Sequence, residues 1–196
     1  MQSLTYQRTI IGYHGCDRSV LEKVLLHRDR LEPSSNDYDW LGSGIYFWEY
    51  GCRRALDWAT GISKLRPEIV KTPAVIGAHI HLGVCFDLLD VRFTDMLTEL
   101  YPAFEETLRK QGVPLPKNEP AHGHDRDLVR RKLDCAMLNW AIPMIETDLE
   151  VKFQTVRGVF QEGAAVYSGS GILKKSHIQV VVRDRGCILG YFLPEN

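Results

Sequence analysis

The chain has 196 residues, of which 44% are hydrophobic and 25% are charged, as in an ordinary soluble globular protein of one domain. The formal net charge of −1 argues against capture of nucleic acid by bulk positive charge and leaves a local basic groove open as an alternative. No apolar run has the length of a membrane span, and residues 1–9 carry no apolar signal-peptide core. The five cysteines include no Cys-x-x-Cys pair, so we expect a cytoplasmic protein with reduced thiols.

Strand and helix patterns alternate in the first 90 residues. Apolar residues at helical spacing follow Asp17 and Ser19, either of which can cap a helix that runs through Leu31. The predicted elements of this part are a strand over 9–15, that first helix, a second helix over 51–62 and an extended stretch over 74–89.

The middle of the chain, residues 92–150, is predicted to be a mostly helical insertion. One helix covers 94–110 with an interruption near Pro102, and a second covers 125–148. Strand patterns return afterwards, over 153–160, 178–182 and 187–193, with a Gly/Ser-rich loop at 163–171. Strands at both ends around a helical middle predict an α+β fold, built as a single domain over 1–196.

The segment Trp40–Glu49 is the strongest local signal of a binding site. Gly42 and Gly44 flank a serine, although glycine weakens a strand. Glycine is needed where another group approaches the backbone or where the backbone turns sharply. Tyr46 and Trp48 follow two residues apart and share one face of a strand. This combination predicts the binding of a flat heterocyclic ligand.

Three motifs follow one another along the chain: His14-Gly15, the segment 42–47, and a strand over 179–182. In this order they resemble the H-Y-E type of ADP-ribosyltransferase, the NAD-using family that includes poly-ADP-ribose polymerases and diphtheria toxin. The resemblance covers about residues 9–90 and 172–193, and the insertion is unmatched. It implies split antiparallel β-sheets flanked by helices.

The resemblance also implies a role for each matching residue, with NAD as co-substrate. His14 is expected to hydrogen-bond a ribose hydroxyl on the adenosine side. Gly15 is expected to hold the nicotinamide carboxamide through its backbone, and Gly44 belongs to the same binding segment. Tyr46 is expected to stack on the nicotinamide ring.

The chain departs from the family at the position of the catalytic glutamate, where Gln179 stands, or His177 in another register. These two residues share a face of the strand. Losing one charged group weakens transition-state stabilisation by about 2–4 kcal/mol, which favours transfer of a single ADP-ribose over chain elongation. Glu162 is the best candidate for a carboxylate that reaches the site from elsewhere, and Glu49 is the second.

The resemblance therefore predicts a mono-ADP-ribosyltransferase that modifies a protein or nucleic acid. By analogy, a small enzyme of this kind is a bacterial toxin or phage-defence effector with an antitoxin or immunity partner. Three alternatives stay open: an NAD glycohydrolase, a non-catalytic NAD- or ADP-ribose-binding module, and an RNA phosphotransferase of related fold.

No metal site is predicted. His79 and His81 form one His-x-His pair, and His122 and His124 form another. Zinc needs a third or fourth ligand at suitable spacing, and the sequence offers none for either pair.

Overall fold

The computed structural model describes residues 4–120 and 127–195. Its strands are β1 (Thr5–Asp17), β2 (Ile45–Glu49), β3 (Pro73–Asp87), β4 (Asn118–Glu119), β5 (Arg130–Arg131), β6 (Thr155–Phe160), β7 (His177–Val182) and β8 (Ile188–Phe192). Its α-helices are α1 (Arg18–Leu25), α2 (Cys52–Leu65), α3 (Val91–Gln111) and α4 (Lys132–Asp148).

The six longer strands form one sheet, and five of them close into a ring. The ring order is β1-β2-β7-β6-β3, with β3 pairing again to β1, and β8 is added to β3. Strand β3 closes the ring because it has 15 residues. Most of them pair with β1, and residues 85–87 pair in parallel with β6. The α+β class is confirmed, whereas a closed ring containing a parallel pair differs from two split antiparallel sheets.

The interior of the ring is filled by apolar side chains. Ile10, Phe47, Ile80 and Val180 come from four of the ring strands and belong to one buried cluster. Strands on opposite sides of a ring share a cluster only inside it, so these residues define the inner face of the sheet. Neighbouring positions in each strand point the other way and form the outer face. Helix α1 extends the inner cluster through Leu21.

The helical insertion packs on part of the outer face. Val156 and Val181 of the sheet share a buried cluster with Phe93 and Phe104 of α3 and Ile142 of α4. The insertion therefore shares a core with the sheet, which ties the predicted helical middle to the strands on both sides of it.

Helix α2 covers another part of the outer face. Ala55, which is fully buried, packs in a small cluster with Trp48 of β2 and Val75 of β3. This packing brings the first turn of α2 beside the end of β2, directly after the glycine-rich segment.

A buried ion-pair network joins the last residues of β2 and β3 to the middle of β6. Arg157 donates from Nε to Glu49 Oε2 at 2.6 Å and from Nη1 to Asp87 Oδ2 at 3.0 Å. Arg8 also donates to Glu49, at 3.1 Å. Because one guanidinium binds two carboxylates from different strands, the network fixes β2, β3 and β6 relative to one another.

Helix α1 is capped by Asp17, as predicted, but it ends at Leu25 and not at Leu31. The chain turns there because His27 adopts a left-handed φ of 54° and donates its N–H to the carbonyl of Val24 at 3.1 Å. The side chain of Leu31 is nevertheless buried. Leu31 is therefore apolar because it packs in the core after the helix has ended.

The insertion helices also differ from their predicted bounds. Helix α3 continues through Pro102 without the predicted interruption, because Phe93 and Phe104 on either side of it pack into the same cluster. Helix α4 begins at Lys132, seven residues after the predicted start at 125.

Candidate functional site

The loop before β2 is held by the hydroxyl of Tyr46. This oxygen donates to the carbonyl of Gly42 at 2.8 Å and accepts the N–H of Leu41 at 3.0 Å. Gly42 has φ +81°, a conformation that glycine adopts without strain. Burial raises the pKa of Tyr46 far above its ordinary value, so the phenol stays protonated. The hydroxyl of Tyr46 thus holds the loop that directly precedes β2.

His14 lies on the inner face of β1, with its ring 5.8 Å from that of Phe47. Its Nδ1 donates to the backbone carbonyl of Tyr46 at 2.8 Å, which leaves Nε2 as an acceptor in the neutral ring. Burial lowers the pKa of His14, and the hydrogen bond to the carbonyl opposes this only in part. The side chain of Tyr46 points to the outer face. The two predicted NAD contacts are therefore adjacent in the sheet but lie on opposite faces.

Two predicted glycines are required by packing. A Cβ on Gly15 would lie 2.2 Å from the carbonyl oxygen of Ala55 in α2. A Cβ on Gly44 would lie 2.4 Å from Cγ1 of Val181, at a backbone φ of +154°. At both positions another part of the chain approaches the backbone closely. This packing explains the two glycines without a ligand.

Gln179 lies on the outer face of β7, opposite Trp48 of β2. It is buried, and its Oε1 accepts the indole N–H of Trp40 at 2.5 Å. The amide oxygen at the position of the expected catalytic glutamate is therefore engaged with another buried side chain.

His177 lies two residues before Gln179 on the same face. Its ring stacks on Phe160, with 5.4 Å between centroids and 18° between planes. Nδ1 donates to the carbonyl of Lys175 at 2.7 Å, so Nε2 carries a lone pair in the neutral ring. Burial lowers the pKa of His177, which favours the neutral ring. Nε2 is buried and makes no hydrogen bond with the residues that the structure describes.

Glu162 lies near His177, in the loop after β6. Its Oε2 accepts from Arg54 Nη2 at 2.8 Å, and its Oε1 lies 3.6 Å from Lys175 Nζ. The side chain is 16% exposed, so the carboxylate is reachable but mostly enclosed. Arg54 and Glu162 both affect the pKa of His177, in opposite directions, as expected for charges close to the ring.

Glu49, the second candidate carboxylate, is committed elsewhere. Both of its oxygens accept from Arg157, and Arg8 adds a further contact. The structure brings Glu162 to His177 and leaves Glu49 in the ion-pair network.

Sequence reasoning missed Arg54, and it noted Trp48 only as an aromatic neighbour of Tyr46. Trp48 lies between His177 and Trp58, with centroids 6.2 and 5.9 Å away. Its indole Nε1 and the Nε of Arg54 are buried and form no hydrogen bond within the described part of the chain. The sequence did contain a signal for this grouping. Trp48 lies in a predicted strand, and Arg54 and Trp58 lie at helical spacing in the predicted helix that follows it.

We call Trp48, Arg54, Glu162, His177 and Gln179 the outer-face cluster. It contains two N–H donors and one ring acceptor that have no partner among the described residues, beside one carboxylate. Buried polar atoms are normally paired, so these three atoms mark hydrogen-bonding capacity that the described residues leave unused.

A cavity of about 610 Å³ lies elsewhere, between the loop before β2 and the end of α4. Gly44 is the predicted site residue that lines it. Glu146, which is buried there, accepts from Arg183 Nη1 at 2.6 Å and from the N–H of Phe153 at 2.9 Å. The cavity contains no side chain of the outer-face cluster.

Residues 4–120 and 127–195 contain no group of three or more His, Cys, Asp or Glu side chains that could hold a metal ion. His79 is exposed and packs against Phe192, with 5.1 Å between ring centroids. His122 and His124 lie outside the described residues. Within the same ranges, no helix is long and apolar enough to cross a membrane.

No family model matches the chain, and no solved structure matches it. The chain is similar to an uncharacterized protein of Methanocaldococcus jannaschii, with 32% identity over 109 residues. That alignment covers 53% of this chain and 48% of the relative, so the chain matches about half the length of that protein.

Proposed function

We propose that this protein is an NAD-dependent mono-ADP-ribosyltransferase whose reacting groups are those of the outer-face cluster. The observation that carries the proposal is the set of unpaired buried nitrogens of Trp48, Arg54 and His177, three residues that neighbour one another or the carboxylate of Glu162. The order of elements supports it, because His14-Gly15, the glycine-rich segment with α2, the long strand β3 and the strand with Gln179 follow one another as in that family.

The groups of the cluster fit the polar atoms of a dinucleotide. Indole and guanidinium N–H groups donate to carbonyl or phosphate oxygens, and a neutral imidazole nitrogen accepts from the hydroxyl that attacks the sugar. Trp48 and Trp58 add aromatic surface of the kind on which a heterocycle stacks. NAD supplies the ADP-ribosyl group and, in nicotinamide, the leaving group.

Glu162 is assigned the electrostatic role in this proposal. Cleavage of a bond at the anomeric carbon develops positive charge on the sugar ring, and a nearby carboxylate stabilises that charge. Gln179 has no charge, and its amide oxygen already accepts from Trp40. Glu162 is therefore the best available counterpart of the family's glutamate, and Gln179 acts by positioning Trp40 and the adjacent strand.

In this proposal His177 accepts a proton and Arg54 binds the diphosphate of NAD. The lone pair of His177 Nε2 accepts the proton of the attacking hydroxyl, because Nδ1–H is held by the Lys175 carbonyl. The guanidinium of Arg54 attracts phosphate oxygens. His14, on the opposite face, acts as a positioning residue that holds β2 through the carbonyl of Tyr46.

The test is incubation of the protein with NAD labelled in its adenosine part, together with cell lysate. Free nicotinamide and acid-precipitable label are followed together. The proposal predicts that both appear, that nuclease or protease treatment of the precipitate identifies the acceptor class, and that His177→Phe, which keeps the ring stack on Phe160, abolishes both.

Three results would redirect the proposal. Label found only in free ADP-ribose identifies a glycohydrolase. Binding of NAD with no release of nicotinamide identifies a binding module. Absence of NAD binding removes the proposal altogether. The effector role and its antitoxin or immunity partner are tested separately, by induced expression: growth arrest that disappears with His177→Phe is the expected result.

A further inference from the structure

A second cavity, of about 410 Å³, opens between the end of α1 and strand β8. Its apolar lining includes Val24, which is 1% exposed, and Ile188. Its polar lining includes Arg30, Arg185 and Tyr191. The volume lies within the range of small-molecule sites. No residue of the outer-face cluster lines this cavity, so it is separate from the proposed site of transfer.

The charged lining of the cavity includes two arginines, of which one is ion-paired. Arg30 makes no ion pair or side-chain hydrogen bond within residues 4–120 and 127–195. Arg185 uses Nη2 to bind the carbonyl of Leu31 and the carboxylate of Glu32, each at 3.0 Å. Asp29 is the one acidic side chain in the cavity lining, and its carboxylate accepts the backbone N–H of Arg30 at 2.8 Å. Two guanidinium groups therefore line the cavity beside one carboxylate.

The two arginines lie close to the hydroxyl of Tyr191. Burial raises the pKa of Tyr191, while the positive charges of Arg185 and Arg30 oppose that rise. The phenol therefore keeps its proton and acts as a further donor. Its hydroxyl forms no hydrogen bond with any part of the chain that the structure describes. One phenol and two guanidiniums are a donor set suited to an anion with several oxygens.

The backbone also presents His27 to this cavity. Its φ of 54° is the left-handed conformation that glycine commonly supplies after a helix. Two hydrogen bonds hold the turn, from the N–H of His27 to Val24 at 3.1 Å and from the N–H of Arg28 to Lys23 at 2.9 Å. A histidine placed where glycine is usual adds an imidazole to the lining.

We propose that this cavity binds a small phosphate monoester, with the phosphate on Arg30, Arg185 and Tyr191 and the organic part on Ile188. A phosphate dianion attracts the guanidinium of Arg30 and the N–H groups that Arg185 leaves free beside its pair with Glu32, and its oxygens accept from several donors at once. The apolar lining gives a reason for an organic substituent, since inorganic phosphate leaves that surface in contact with water.

The test is isothermal titration calorimetry of the full chain with phenyl phosphate, inorganic phosphate and a 5′-phosphorylated oligonucleotide. Phenyl phosphate is expected to bind at least about tenfold more tightly than inorganic phosphate. Arg30→Gln is expected to weaken that binding roughly 10- to 100-fold, the usual loss of a hydrogen bond to a charged group. Arg28→Gln is the matched control, because Arg28 is exposed and lies outside the cavity lining, and it should bind as the wild type does.

Equal affinities of the Arg30 and Arg28 variants would overturn the proposal, as would a lack of phenyl phosphate binding to the wild type. Tighter binding of the oligonucleotide than of phenyl phosphate would overturn the small-molecule assignment. Tyr191→Phe, which keeps the ring and removes the donor, should give a smaller loss. Thermal unfolding of each variant checks that it is folded. None of these results depends on NAD.

Discussion

Replacing Glu162 by glutamine tests the role assigned to its charge while keeping the size and shape of the side chain. In the structure the carboxylate faces Arg54 at 2.8 Å and Lys175 at 3.6 Å. The variant removes the negative charge and leaves both cations in place, so a developing positive charge on the sugar meets net repulsion. Removing one group that stabilises transition-state charge costs about 2.7–4 kcal/mol, or roughly 10²- to 10³-fold in rate.

The same substitution should change stability much less. Glutamine keeps an amide oxygen that accepts from Arg54 in the place of the carboxylate, so the partly enclosed contact keeps its hydrogen bond. The assay is the initial rate of nicotinamide release at saturating NAD, with thermal unfolding measured alongside. Glu106→Gln is the matched control, since Glu106 also pairs with an arginine at 2.6 Å but lies on the exposed surface of α3. A Glu162→Gln rate within about threefold of the control would refute the assignment, because that difference is only ~0.65 kcal/mol.

Three further predictions concern the fold. Arg157→Met should lower the free energy of unfolding in urea by about 3–5 kcal/mol, because two buried carboxylates lose the guanidinium that they share. A change below about 1 kcal/mol would show that this ion-pair network does not hold β2, β3 and β6 together. Gly15→Ala should destabilise by about 1–3 kcal/mol, since its Cβ meets the carbonyl of Ala55, and should do so equally with and without NAD. Asp17 has a pKa lowered by hydrogen bonds, first from the Ser19 side chain, so its contribution is present above the ordinary value of 3.8 and is lost as pH falls below it. The difference in unfolding free energy between wild type and Asp17→Ala should therefore shrink between about pH 5 and about pH 2, and a constant difference would contradict this reasoning.

The sequence predicted local structure correctly where one residue or a short run of residues determines it. Asp17 caps α1 because a carboxylate before an apolar periodic run satisfies free N–H groups. The β-branched run 178–182 forms β7 for an equally local reason. The end of α1 was missed, because the apolar residue Leu31 continues the helical pattern while the backbone has already turned at His27.

The closed ring could not be read from the sequence. It depends on pairings between residues far apart along the chain, such as β1 with β3 and β2 with β7. Arg157 gave a weak hint, since a charged residue inside an apolar strand pattern needs a buried partner. Its partners, Glu49 and Asp87, lie at the ends of two other strands, and no spacing rule connects them.

The sequence predicted the placement of the candidate site residues only in part, for the same reason. His177 and Gln179 share a face because of strand geometry alone, and Glu162 lies at the start of the long loop that precedes them. That Tyr46 and His14 point to opposite faces follows from the pairing register of β1 and β2, which the motifs do not encode. The contribution of Arg54 required the packing of α2 on the sheet.

A crystal structure with NAD bound tests the central claim most directly. We expect a hydroxyl of the nicotinamide ribose within hydrogen-bond distance of Glu162, about 2.6–3.2 Å, with a phosphate oxygen near Arg54. NAD bound only in the cavity beside Glu146 and Arg183, or no NAD bound at saturating concentration, would contradict it.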